Sequence, residues 1–266
     1  MPELPEVESV RRDLITRVQG NKVTWVEPLL PRMVKCGTLD DIVGVEFTSI
    51  NRRGKFLFID TSGEMTVYIH LRMSGTLLWR KGIEDNPSHI RIVIGFQNGR
   101  LLFRDPRTLG GIWINRKGEH PWKKMGLEPF DDNLTPEVLQ KLLVKRSIPI
   151  KTALLDQGTI AGIGNIYASE ILFDAKIDPR RPANSISNGE LLKVLNSTRT
   201  ILNAAIEANG TTLKDFKLSN GRGGEFANFL KVYAKKEEEC YICKSKIERI
   251  VQSQRSTFFC PSCQTN

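Results

Sequence analysis

At 266 residues the chain is long enough for two domains and a small third. Its 40% hydrophobic and 26% charged residues suit a globular protein, and no apolar run approaches the roughly 18 residues of a membrane helix. The acidic start lacks the basic head and apolar core of a signal peptide, so the cytosol is the expected compartment. With 39 Lys+Arg against 30 Asp+Glu the formal net charge is +9, an excess that favours a polyanionic partner, most often nucleic acid.

The chain opens MPELPEVESVRR. Pro5, Glu6 and Glu8 suit the first turn of a helix, where proline's missing N–H costs nothing and carboxylates meet the positive end of the dipole. Val7, Val10, Leu14 and Ile15 recur at helical spacing, so an amphipathic helix should run to about Val18. Pro2 and Glu3 precede that helix and are left unexplained by it.

From Lys22 to about Asn115 the pattern is β-rich: KVTWVE, VGVEFTSI, KFLFID, MTVYIHL, TLLWR, RIVIGF, RLLFR and GIWIN, separated by turn residues. Asn98 with Gly99, and Ser62 with Gly63, read as hairpin turns. A two-sheet sandwich or barrel spanning 1–115 is expected, with Cys36 as a buried structural thiol. Residues 116–132 show no period and read as a linker. Helices follow: one opened by Thr135 and Pro136, one over about 149–156, one opening at GNIYASEILF, and a fourth from a Ser187/Glu190 capping box to Asn209 and Gly210. Residues 214–236 mix lysine, arginine, glycine and aromatics and read as a mobile basic loop. The expected class is thus α+β and multidomain: a helix plus β-sandwich, a helical domain over 133–236, and a cysteine-rich end over 237–266.

Four of the five cysteines form that end. Cys240 and Cys243, then Cys260 and Cys263, make two C-x2-C hooks sixteen residues apart, the spacing of a four-thiolate zinc site. Four cysteines close the tetrahedron, so one Zn2+ would be structural and would hold QRSTFF, with Arg255, on a short hairpin. In AGIGNIYASE (161–170) two glycines permit a tight turn and Asn165 stands where a helix begins, a place suited to a phosphate. With LLDQG before it, this is a helix–two-turns–helix arrangement. Lys151 offers a second phosphate contact or is a solvated charge. On the β-domain, HLRMSG (70–75) and RDPRTLGG (104–111) set Met73, Arg107 and Leu109 at strand ends. There apolar side chains are usually core, or else form a wedge that enters a base stack while arginine fills the gap. Lys55 and His89 read as strand-end surface charges unless the site claims them.

These pieces together resemble the bacterial formamidopyrimidine-DNA glycosylases. MPELPEVE, GKFLF around Lys55, HLRMSG, the DPR of 105–107, GIGNIYASE and QRSTFFCPSC occur in order over the whole chain. The resemblance implies that Met1 is removed and that Pro2 is the nucleophile. At pH 7 an α-amine of pKa near ~8 carries far more free base than a lysine near ~10.4. It implies Glu3 as general acid with Glu6 assisting, Lys55 for β-elimination and Arg255 for δ-elimination. Met73, His89, Arg107, Leu109, Lys151 and Asn165 become DNA contacts. Two departures stand out: Leu109 replaces the aromatic of the usual DPRRFG wedge, and Ser253 replaces the usual glycine before Gln254 in the zinc hairpin.

The expected activity is that of a monomeric base-excision-repair glycosylase and apurinic/apyrimidinic lyase, in the cytoplasm at the nucleoid. It would remove 8-oxoguanine and formamidopyrimidines from damaged double-stranded DNA, without contact to membranes. Two alternatives remain open at this stage. One is an endonuclease VIII-like preference for oxidised pyrimidines, which the N-terminus disfavours; the other is a silent zinc-dependent DNA-binding protein, which would have no use for an amino-terminal proline. The resemblance also implies a lesion-recognition loop, placed around residues 219–225.

Overall fold

A computed structural model describes residues 1–82, 87–213, 216, 218–219 and 221–265. The chain divides into two compact units, Met1–Lys123 with Ala208–Ala227, and Lys124–Glu207 with Asn228–Asn266. The segment 208–227, which the sequence pattern grouped with the helices, thus packs with the first unit.

The first unit opens with helix α1 (Leu4–Val18), whose Pro5 lies in the first turn and whose Val7, Val10, Leu14 and Val18 are buried. Strands β1 (Val23–Glu27), β2 (Val34–Cys36), β3 (Phe47–Arg53), β4 (Phe56–Thr61), β5 (Met65–His70), β6 (Thr76–Arg80), β7 (Ile90–Phe96), β8 (Gly99–Arg104) and β9 (Gly111–Arg116) follow. Among the described residues they form a four-stranded sheet, β1-β7-β8-β6, and a five-stranded sheet, β2-β9-β5-β4-β3. Leu57, Ile59, Val67, Ile69, Ile112 and Ile114 of one sheet and Leu77, Ile92, Ile94, Leu101 and Phe103 of the other share one core cluster with the apolar face of α1. Alternate residues therefore point inward from both sheets, the arrangement of a sandwich. Both expected hairpins form: Phe96 pairs with Gly99 and Asp60 with Thr66.

Strand β2 has no counterpart in the sequence reading. It is three residues long and pairs in parallel with β9 at a sheet edge, so no local alternation announces it. Its edge position also corrects the reading of Cys36: the thiol is exposed, not buried.

In the second unit, α2 (Pro136–Leu143) is capped by the Thr135 hydroxyl, which accepts the Val138 amide at 3.4 Å. Helices α3 (Ile150–Leu155), α4 (Asn165–Asp174) and α5 (Asn188–Glu207) follow, the last opened by Ser187 and Glu190 exchanging hydrogen bonds. Strands β10 (Glu248–Gln252) and β11 (Arg255–Phe259) make an antiparallel hairpin. Phe173 of α4, Val232, Ile247 and Phe258 pack in one cluster with Cys240 and Cys260, so the hairpin is built onto the helices. No helix among the described residues is long and apolar enough to cross a membrane.

Candidate active site and nucleic-acid interface

In the first unit, Pro2 and Glu3 are both buried at the start of α1, while Met1 ahead of them is 41% exposed. With Met1 attached, the Pro2 nitrogen is a tertiary amide without basicity. Glu6 is buried, and its carboxylate is spent on two backbone amides: one oxygen accepts Glu3 N–H at 2.7 Å, the other Thr211 N–H at 2.7 Å. Glu6 therefore fixes the residue next to Pro2 and ties segment 208–227 to α1. Gly210 beside it has φ +82°, and a Cβ there would stand 2.9 Å from the Glu6 carboxylate.

Lys55 is a buried residue at the β3–β4 turn, not a surface charge. Glu8, held low by Arg11 and Arg52 against the burial that would raise it, accepts from Arg52, whose other arm donates to the Gly54 carbonyl at 3.1 Å. The turn carrying Lys55 is thus anchored to α1 through an ion pair. Nearby His70 is buried, and its pKa falls to about 3 through burial first, then through the charges of Arg72 and Lys55. Its Nδ1 accepts the Arg72 amide at 3.0 Å, which requires that nitrogen to be unprotonated. The sequence offered His70 only as the first letter of HLRMSG; that it is a neutral imidazole beside Lys55 depends on β5 lying against β4.

Met73 and Leu109 are each 46% exposed, so neither is core. Arg107 is exposed beside them, its Nη1 3.6 Å from the Met73 sulfur. His89 is exposed and adopts φ +70°; Arg72 at +52° and Thr108 at +54° share that left-handed region. Residues with a Cβ occupy it only where surrounding contacts enforce it, at roughly 1–3 kcal/mol each.

In the second unit Lys151 is neither a solvated charge nor an open phosphate ligand. It is fully buried, and its ammonium donates to Asn165 Oδ1 at 2.6 Å, Thr257 Oγ1 at 2.8 Å and the Ser256 carbonyl at 3.0 Å. Asn165 in turn donates to the same Ser256 carbonyl at 2.9 Å. Both residues thus hold the zinc hairpin; Lys151 is fully buried, Asn165 is half-buried at the start of α4, and Arg255 is exposed at the head of β11. Gly162 at φ +90° and Gly164 shape the turn before α4. The Gln157 side chain closes that turn by accepting the Gly162 amide and donating to the carbonyls of Leu155 and Ile163. Glu170 accepts the amides of Lys231, Val232 and Tyr233 at 2.8–3.0 Å, although burial pushes its carboxyl up. It ties down the end of the segment read as a loop, of which Lys214, Asp215, Lys217 and Asn220 lie outside the described residues.

The four cysteine sulfurs lie within 4.8 Å of one another, with Cys240 to Cys263 at 3.8 Å and Cys243 to Cys260 at 3.4 Å. Zinc–sulfur bonds of about 2.3 Å in a tetrahedron would set the sulfurs about 3.8 Å apart. Ser245 draws the Cys243 thiol down to about 6, while burial pushes Cys260 and Cys263 up. Such a cluster becomes four thiolates only around a dication, so the donor set fits one structural zinc with no position left for water.

The formamidopyrimidine-DNA glycosylase N-terminal domain matches residues 1–112, the corresponding H2TH domain residues 125–217, and a zinc finger found in FPG and IleRS residues 237–266. A formamidopyrimidine-DNA glycosylase of Pelotomaculum thermopropionicum is 39% identical over 99% of both chains. The chain belongs to the formamidopyrimidine-DNA glycosylase family. Among solved structures, a variant of the Lactococcus lactis enzyme bound to Fapy-dG containing DNA aligns with TM-score 0.94 at 33% identity over 100% of both chains. The wild-type enzyme of that organism, bound to an oxidised pyrimidine containing DNA, aligns with TM-score 0.93, also at 33% identity over 100% of both chains. A MutM complex with carbocyclic 8-oxo-G containing DNA gives TM-score 0.93 at the same identity and coverage.

Proposed function

We propose that the protein is a base-excision-repair DNA glycosylase and apurinic/apyrimidinic lyase that removes 8-oxoguanine and formamidopyrimidines from duplex DNA. The observation that carries this reading is the buried start of α1, where Glu6 fixes Glu3 beside Pro2. Once Met1 is removed, the Pro2 amine attacks the sugar C1′ and the bond to the base breaks. Glu3 supplies the proton that opens the ring, leaving a covalent iminium. Loss of a C2′ proton then expels the 3′ phosphate, with Lys55 assisting, and Arg255 serves the second elimination. Met73, Arg107 and Leu109 enter the base stack and His89 meets the backbone; their exposure supports these roles. Lys151 acts behind the hairpin, and half-buried Asn165, at the start of α4, keeps its place beside a phosphate.

A monomer working on chromosomal DNA in the cytoplasm accords with the net charge of +9. The complexes of relatives with both Fapy-dG and oxidised-pyrimidine DNA leave a second reading, in which oxidised pyrimidines are also taken. The decisive experiment is borohydride trapping of the mature protein on duplexes bearing one 8-oxoguanine or one oxidised pyrimidine. Trapping through the N-terminus, much reduced in Pro2→Gly and faster on 8-oxoguanine, is expected. Attachment through an internal lysine would overturn the nucleophile, and faster trapping on the pyrimidine would overturn the preference.

A further inference from the structure

Met73, Arg107, Leu109 and His89 sit on three separate turns, and all three turns meet at one residue. Asp105 is fully buried. Its Oδ1 accepts the Ser74 hydroxyl and, at 3.2 Å, the Arg107 amide; its Oδ2 accepts the Gly110 amide at 2.8 Å. Its own amide donates to the His89 carbonyl at 3.0 Å, and its carbonyl accepts Thr108 N–H at 3.3 Å and Arg91 Nε at 2.9 Å. Ser74 reinforces the link by accepting the Arg107 amide at 3.3 Å. Two residues in the left-handed region, His89 and Thr108, are direct partners of this backbone, so Asp105 is among the contacts that hold them there. A Cβ on Gly110 would lie 2.8 Å from the His70 carbonyl and 3.2 Å from Oδ2, so glycine lets that amide reach the carboxylate.

We propose that Asp105 is a positioning residue that sets Met73 against Arg107, Leu109 and His89, and thereby governs extrusion of the damaged nucleotide rather than the chemistry at the sugar. The proposal rests on the reading of those four side chains as the duplex-opening group. Its physical content is the acceptor set. In Asp105→Asn one oxygen becomes an NH2 group that meets either the Gly110 amide or the Arg107 amide, donor against donor, and one turn is released. Ser74→Ala leaves the carboxylate intact and removes only the link to the Met73 turn.

The test places 2-aminopurine beside an 8-oxoguanine in a duplex and follows its fluorescence with single-turnover excision. A parallel arm traps the same proteins with borohydride on a single-stranded oligonucleotide carrying a preformed abasic site, which has no stacked base to remove. Folded Asp105→Asn should lose most of the fluorescence rise and excise at least about tenfold more slowly, the scale of one lost buried acceptor, while trapping on the abasic strand stays within about twofold. Ser74→Ala should move the same way by a smaller factor, and it carries the test if Asp105→Asn does not fold. Parental fluorescence and excision in either folded variant, or equal losses in both arms, would overturn the proposal. A parent protein that traps on neither substrate would fail the functional reading itself.

Discussion

The two units hold their working side chains by opposite charges. In the sandwich a buried anion, Asp105, gathers a hydroxyl and two amides, and Met73, Arg107 and Leu109 stand exposed around it. In the helical unit a buried cation, Lys151, gathers a carboxamide, a hydroxyl and a carbonyl, and Arg255 stands exposed beyond it. Turns joined by amides need an acceptor at the hub; a hairpin whose strand presents Ser256 carbonyl and Thr257 hydroxyl needs a donor. The second unit adds a cysteine tetrad, because a five-pair hairpin buries too little apolar surface to hold itself.

Zinc removal should break this comparison hardest. Structural zinc contributes on the order of 10–16 kcal/mol in isolated fingers, so chelation should unfold the β10–β11 hairpin and abolish duplex binding while the sandwich keeps its far-UV signal. Metal-free protein that binds lesion duplex like the parent would remove zinc from the account.

Replacing the cationic hub comes next. Lys151→Met keeps the length but takes the donor from Asn165 Oδ1 and Thr257 Oγ1 and leaves Ser256 O with the Asn165 amide alone, at about 2–6 kcal/mol for the two stripped acceptors. Denaturant unfolding followed by zinc release should shift accordingly. Weaker DNA binding with undiminished stability would return Lys151 to the role of a phosphate ligand.

A third test concerns His70, whose pKa is lowered to about 3 by burial and by Arg72 and Lys55. The unfolded chain takes up this proton below about 6.5 and the folded chain does not, so the neutral ring's contribution is complete above that pH. It is lost as pH falls toward 3, by up to about 1.4 kcal/mol per pH unit. His70→Gln lacks the titration, so the difference in unfolding free energy between parent and variant should change with pH across this window. A pH-independent difference would mean that the imidazole does not titrate on unfolding.

Much of this architecture was legible because its signals are local. The eight long strand patterns are apolar, β-branched and aromatic runs bounded by turn residues, Thr135 and Ser187 announce their helices, and the paired C-x2-C hooks state their ligand by spacing. The hubs were not legible, because a buried charge is defined by residues that arrive from elsewhere. Asp105 meets Ser74 across 31 positions, and Lys151 meets Thr257 across 106. Lys151 and Lys55 look like any surface lysines in sequence, and both are buried. Cys36 failed in the other direction: a residue type usually buried lies on a short edge strand where it is exposed.

The smallest expected effect sharpens the comparison at the hairpin tip. Ser253 and Gln254 connect β10 to β11 with φ of +47° and +62°, both left-handed, as a two-residue turn between right-twisted strands demands. Neither residue is glycine, so the turn carries the strain of two side-chain-bearing residues held in the left-handed region. Ser253→Gly should relieve that strain at the cost of a more flexible unfolded chain, a net gain of a few tenths to about 1 kcal/mol. The exposed Ser253 hydroxyl, 3.5 Å from that of Thr152, is a weak contact to lose. Amide exchange at Arg255 and zinc loss to a chelator should both slow by about two- to fivefold, since 1.4 kcal/mol is tenfold. If the contact to Thr152 outweighs the strain, Ser253→Gly exchanges faster, and Thr152→Ala should then reproduce that loss. If instead Ser253→Gly slows exchange and Thr152→Ala leaves it unchanged, the hairpin's geometry is imposed by Lys151 and the cysteines against the preference of its own turn.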